Sequence, residues 1–265
     1  MEIISESVEK GVAERRFDLT VDGETVPGIV WTPEHATGPI PVVLIGHGGT
    51  QHKRVPNVLA LARRFVRHLG YAAVAIDAPG HGERVTDEVA ANEARQNLER
   101  RIAAGPGQSS VLDMSPEQAK LWADRITHGV NDWKATVDAL EGEDGLIDGR
   151  IGYWGVSMGT AIGLPFVAAE PRVKAAVLGL AGLSNVRTGA AALERAARSL
   201  TIPILFVFQW DDELMSRQSG LDLFNTIGSS DKAMHIHPGG HIETPLYERD
   251  AYEAFFKRHL GNWPA

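Results

Sequence analysis

The chain contains no cysteine, which excludes disulfides, thiolate metal sites and a cysteine nucleophile, although it does not by itself fix a compartment. Basic clusters are missing too. No run of Lys or Arg exceeds two residues and the formal net charge is -8, so there is no electrostatic footprint for a phosphate backbone or an anionic membrane. The opening residues MEIISESVEKGVAERR are acidic where an export signal needs basic groups, and they lack its apolar centre. No later stretch approaches the roughly eighteen continuous apolar residues of a membrane span. The expectation is a soluble, cytoplasmic protein that binds neither nucleic acid nor membrane. Self-association into a homo-oligomer is left open.

What is present is a core. With 265 residues, 43% of them apolar, one domain is expected rather than two complete enzymes. Short β-branched apolar runs alternate with helical stretches, the pattern of an α/β protein whose mostly parallel sheet is covered on both faces. Residues 15–21 and 25–31 alternate around Asp22-Gly23 and predict an antiparallel hairpin at one edge. Buried strands are expected at 41–46, 72–77, 150–154, 173–180, 204–208 and 233–237, about eight strands in all. The pattern breaks at residues 83–131, with a chain break at Gly105-Pro106-Gly107 and a helix start at Ser115-Pro116-Glu117, and again at 182–199. Both stretches follow strand ends and are expected as cap or lid insertions, or else as plain surface helices. There is no internal repeat, heptad seam or low-complexity tail.

One segment carries chemistry. Gly155-Val156-Ser157-Met158-Gly159 lies between the strand at 150–154 and a helix at 161–169, the layout of a nucleophile elbow. A serine at such a turn is held in a strained backbone conformation, and the flanking glycines let strand and helix approach each other. The pentapeptide alone is a weak signal in a glycine-rich chain; its strand and helix flanks make it strong.

A serine hydroxyl needs a base within hydrogen-bond reach and a carboxylate behind that base. Of the late histidines, only His241 sits in a glycine-rich loop, Pro238-Gly239-Gly240-His241, between a strand and a helix. His235 and His237 alternate along a strand, and His259 belongs to the last amphipathic helix with Tyr252 and Phe255 inward, so none of the three needs a catalytic role. Asp211 and Asp212 compete for the acid in the turn beyond strand 204–208, and the residues alone do not separate them.

The oxyanion of a tetrahedral intermediate needs backbone N–H donors: Met158, next to the nucleophile, and Gly49 of His47-Gly48-Gly49-Thr50, where bare backbone lets an oxygen approach. His47 and His52 have no recognisable ligand set around them, and no metal or other cofactor is expected. Lys53 and Arg54, beside this loop, either attract a carboxylated substrate or, the simpler reading, are solvated surface groups. Trp122, Trp133, Leu183 and Val186 are candidates for an apolar pocket or for core packing.

Taken together, IGHGGT, DAPGHGE, GVSMG, QWDDEL and PGGH, spread over nearly the whole chain, resemble the α/β-hydrolase superfamily. GHGGT, the run from Asp77 to Gly82 and the Ser-Met-Gly elbow look like its dienelactone-hydrolase-like and esterase members. The resemblance implies the acid at the last position of a G-x-x-D turn, which is Asp212, with Gln209 where glycine is usual. It also implies a Ser157–His241–Asp212 triad acting on a small-molecule carboxylic ester through an acyl-enzyme. Dienelactone hydrolases usually carry a cysteine nucleophile, so their particular substrate does not transfer. The Asp77 to Gly82 run holds no triad member and is expected to shape the chain, with His81 at most lining the pocket. A lactone or thioester hydrolase and an acyltransferase fit the same parts; a non-catalytic binding protein fits poorly, because no part is missing.

Overall fold

The computed structural model describes residues 1–105, 115–142, 146–183 and 190–261. Nine strands form one sheet in the order β1-β2-β3-β5-β4-β6-β7-β8-β9. β1 (Glu2–Glu9), β2 (Val12–Val21) and β3 (Glu24–Pro33) pair antiparallel, and β3 pairs antiparallel with β5 (Ala72–Ile76). From β5 onward the neighbours β4 (Ile40–Gly46), β6 (Ile147–Val156), β7 (Val173–Gly179), β8 (Ile204–Gln209) and β9 (Lys232–His237) run parallel.

The two hairpin turns have the same cause. Asp22-Gly23 and Lys10-Gly11 all have positive φ, from 51° to 84°, the type I′ geometry that matches strand twist. Six later strands fall where the sequence places them: β4 to β8 are short runs largely buried on both faces, whereas β9 is a partly exposed edge strand. β1 is the difference: an outermost strand whose eight residues are all exposed and which carries no core pattern to read.

Each sheet face has its own apolar cluster. One packs α3 (Pro116–Gly142), α4 (Met158–Ala169), α5 (Ala190–Ser199) and α6 (Arg217–Thr226) through Trp133, Phe166, Ala197 and Leu223. The other packs α1 (Pro56–Arg64) and α7 (Glu248–Leu260) through Leu61, Tyr252 and Phe256. The stretch at 83–131 contains α2 (Glu88–Ala103), with no buried residue, and the first half of α3. Pro106 and Gly107, from the expected chain break, and Val186 lie outside the described residues. No helix among the described residues is long and apolar enough to cross a membrane.

Candidate active site

The elbow is a consequence of close packing. Ser157 links β6 to α4 at φ 58° and ψ -119°, a region costly for any residue with a Cβ. A Cβ at Gly159 would sit 2.5 Å from the Gly46 carbonyl oxygen of β4, and one at Gly155 would sit 2.7 Å from the Gly159 oxygen. Only glycine fits either place. The Tyr153 hydroxyl donates to the Gly159 carbonyl at 2.7 Å, and complete burial pushes its pKa up. The Ser157 amide donates to Gly179 O of β7 at 2.9 Å.

The loop after β9 brings His241 to this elbow. Ser157 Oγ is 2.9 Å from His241 Nε2, and His241 Nδ1 is 2.8 Å from Asp212 Oδ2. With Nδ1 donating to the carboxylate, Nε2 presents its lone pair to the serine hydroxyl. The other Asp212 oxygen accepts from the Leu214 and Met215 amides, both at 2.8 Å. Asp211 points elsewhere: it accepts from Arg217 at 3.2 Å and from the Gly239 amide at 3.4 Å, and its side chain is half exposed. Glu213, which the sequence did not single out, accepts from the His241 amide at 2.8 Å and packs under Gly240, where a Cβ would meet it at 2.2 Å.

Met158 opens α4, whose first N–H groups have no acceptor in the helix. Gly49 lies against it, since a Cβ added there would be 3.9 Å from the Met158 Cβ. Next to Gly49, Thr50 has φ 59°, an uncommon conformation for a β-branched residue and a mark of a constrained loop.

Ser157, Met158, Gly49 and His81 line a cavity of about 650 Å³. Its walls come from both irregular stretches: Leu98 and Arg101 of α2, Trp122 and Arg125 of α3, Leu183, and Leu193 of α5. Trp133 is instead in the core, edge-on to Tyr153. Arg101 and Arg125 went unnoticed in the sequence because a lone arginine on a surface-like helix carries no signal. Burial lowers both guanidinium pKa values, with the Asp212 charge partly restoring that of Arg101.

Next to the loop of residues 47–50 lies a buried polar network. Lys53, 1% exposed, is not a solvated surface group: its Nζ donates to Asp77 at 2.6 Å and to Glu83 at 2.5 Å. A carboxylate with no exposure at all requires such a cation. Burial alone would raise the Asp77 pKa, but Lys53 and the Lys53 and Glu83 amides hold it below the usual value. Arg54 pairs with Glu14 at 2.7 Å. His47 Nδ1 donates to the Gly48 carbonyl at 2.8 Å and Nε2 accepts from the Ala78 amide at 3.0 Å. Burial pushes the His47 pKa down to about 4. The run from Asp77 to Gly82 thus ties the end of β5 to the loop that follows β4.

No protein-family model matches the chain, and no curated protein matches it. Among solved structures, a cold-adapted esterase from an Arctic intertidal metagenomic library is 35% identical, covering 98% of this chain and 100% of that one, with a TM-score of 0.80. An acetyl xylan esterase from Paenibacillus sp. R4 (17% identity, 98% and 88% coverage, TM-score 0.71) and a dienelactone hydrolase from Anabaena variabilis (20%, 94% and 99%, 0.63) share the fold. The chain belongs to the α/β-hydrolase superfamily; its 35% identical relative there is an esterase, and it shares the fold with a dienelactone hydrolase.

Proposed function

We propose that this chain is a serine hydrolase that cleaves a carboxylic ester of a small molecule, with Ser157 as nucleophile, His241 as base and Asp212 as the orienting acid. The observation that carries this reading is the unbroken series Ser157–His241–Asp212, with links of 2.9 and 2.8 Å, whose serine lines a cavity large enough for a substrate. The 35% identical relative is an esterase, which favours an ester over an amide.

His241 Nε2 takes the Ser157 proton as Oγ attacks the acyl carbon, and the Met158 and Gly49 amides stabilise the resulting oxyanion. Collapse of the intermediate breaks the bond to the leaving alcohol, which receives the proton from His241. Water then attacks the acyl-enzyme with the same base, releasing the acid and regenerating Ser157. Throughout, Asp212 fixes the useful His241 tautomer and faces the imidazolium as it forms. No cofactor enters these steps. We assign the described parts of the stretches 83–131 and 182–199, which line the cavity, to a cap that shapes acyl and alcohol selectivity.

A fluorophosphonate probe followed by peptide mapping tests the assignment. A single adduct on Ser157, with turnover of ester substrates, is expected; an adduct on another serine, or none on a chain that hydrolyses esters, defeats it.

A further inference from the structure

Away from the elbow, a second cluster of ligating side chains spans the neck of the loop that carries His241. That loop leaves the sheet after His237, the last residue of β9, and enters α7 at Glu248. His235 and His237 are two residues apart, so they project from one face of this outermost strand. Glu248, 2% exposed, lies between them: His235 Nδ1 is 2.7 Å from Oε1, and His237 Nε2 is 2.8 Å from Oε2. One ligand atom from each residue falls within 4.8 Å of the others. We propose that His235, His237 and Glu248 form a zinc-type divalent-cation site that fastens the neck of the His241 loop.

Two imidazoles and one carboxylate are the donor set of a three-residue zinc site, with the fourth position left to water. Tetrahedral coordination at about 2.0–2.1 Å puts ligand atoms roughly 3.3 Å apart, so the two hydrogen-bonded pairs open slightly while the ligand atoms, now spread over as much as 4.8 Å, draw together around the ion. His235 can supply that movement and the entry path, because its side chain is 40% exposed while those of His237 and Glu248 are 11% and 3% exposed. Proton balance is simple. Each neutral imidazole moves the proton it donates to Glu248 onto its far nitrogen, and the freed lone pair takes the metal. For His237 that far nitrogen, Nδ1, is already 3.3 Å from the Tyr247 hydroxyl, the kind of outer partner that orients a ligating histidine. Mg²⁺, which prefers all-oxygen octahedral sites, is the wrong ion.

The inference does not depend on the chemistry at Ser157, and its test is kept separate from turnover. Untagged protein is titrated with ZnCl₂ by calorimetry and its unfolding midpoint is followed with and without the metal. One high-affinity zinc per chain is expected, with a midpoint rise of roughly 5 °C at hundredfold excess over Kd and no rise with MgCl₂. His235→Ala removes only a half-exposed ligand and Glu248→Gln removes the charge; circular dichroism checks that both are folded. Each should weaken zinc binding at least about tenfold, while His241→Ala binds as tightly as the parent. Absence of stoichiometric binding, an equal rise with Mg²⁺, retention in folded His235→Ala, or loss in His241→Ala with retention in His235→Ala would each overturn the site.

Discussion

The Asp212 carboxylate, fully buried, receives hydrogen bonds from His241, Leu214 and Met215, whereas Asp211 lies half in solvent beside Arg217. Asp212→Asn is therefore expected to lower kcat by about two to four orders of magnitude and Asp211→Asn by less than about threefold. Steady-state kinetics on one ester decides this, and the reverse ranking moves the acid by one residue. Ser157→Ala and His241→Ala should each lower turnover by about three to six orders of magnitude with circular dichroism unchanged. His47 sets an acid limit on stability. The unfolded chain takes up its proton near 6.5 but the folded one only near 4, so the stabilisation is present above pH 6.5 and is lost as pH falls through 4. The loss is on the order of 3 kcal/mol, and Asp77, also held low, acts in the same direction. Denaturant midpoints measured from pH 7 down to pH 4 should fall, and less steeply in His47→Gln, which can still accept from Ala78 but cannot ionise.

At the scale of elements, α2 and α3 put Arg101 and Arg125 in the cavity wall. Arg125 is half-buried and has no ion-pair partner among the described residues. A half-ester of a dicarboxylic acid should thus be hydrolysed more efficiently than the matching neutral diester, and Arg125→Gln should cut that preference about tenfold; equal kcat/KM ratios in parent and variant would refute this. These helices also show where sequence stops being informative. Strands β4 to β8 were legible because a strand buried on both faces must be a short apolar run with turn residues at its ends. Helix α2 and the first half of α3 were legible only as a break in that rhythm: α2 has no buried residue, so nothing in its composition says which side faces the cavity. Trp122 and Trp133 illustrate the point. Both lie on α3, yet one lines the cavity and the other fills the core, a distinction set by helix placement and not by residue type.

For the molecule as a whole, the site was legible to the extent that it is built from backbone necessity. Gly155, Gly159 and the His241 loop announce themselves because crowding permits little else. Lys53 did not, since only the assembled sheet reveals that Asp77 is buried beside it, and Glu213 did not, since its partner is a backbone amide 28 residues away. The first strand adds no buried residue, so a chain lacking residues 1–9 should keep its ester turnover within about twofold while becoming less soluble as β2 turns into the bare edge; loss of turnover in the soluble fraction would contradict this. The twisted φ of Ser157 has its own global cost. The reactive hydroxyl is displayed at the expense of thermal robustness, so Ser157→Gly should melt higher than the parent, by about 1 kcal/mol in unfolding free energy, and the dead protein would be the one that better survives heating.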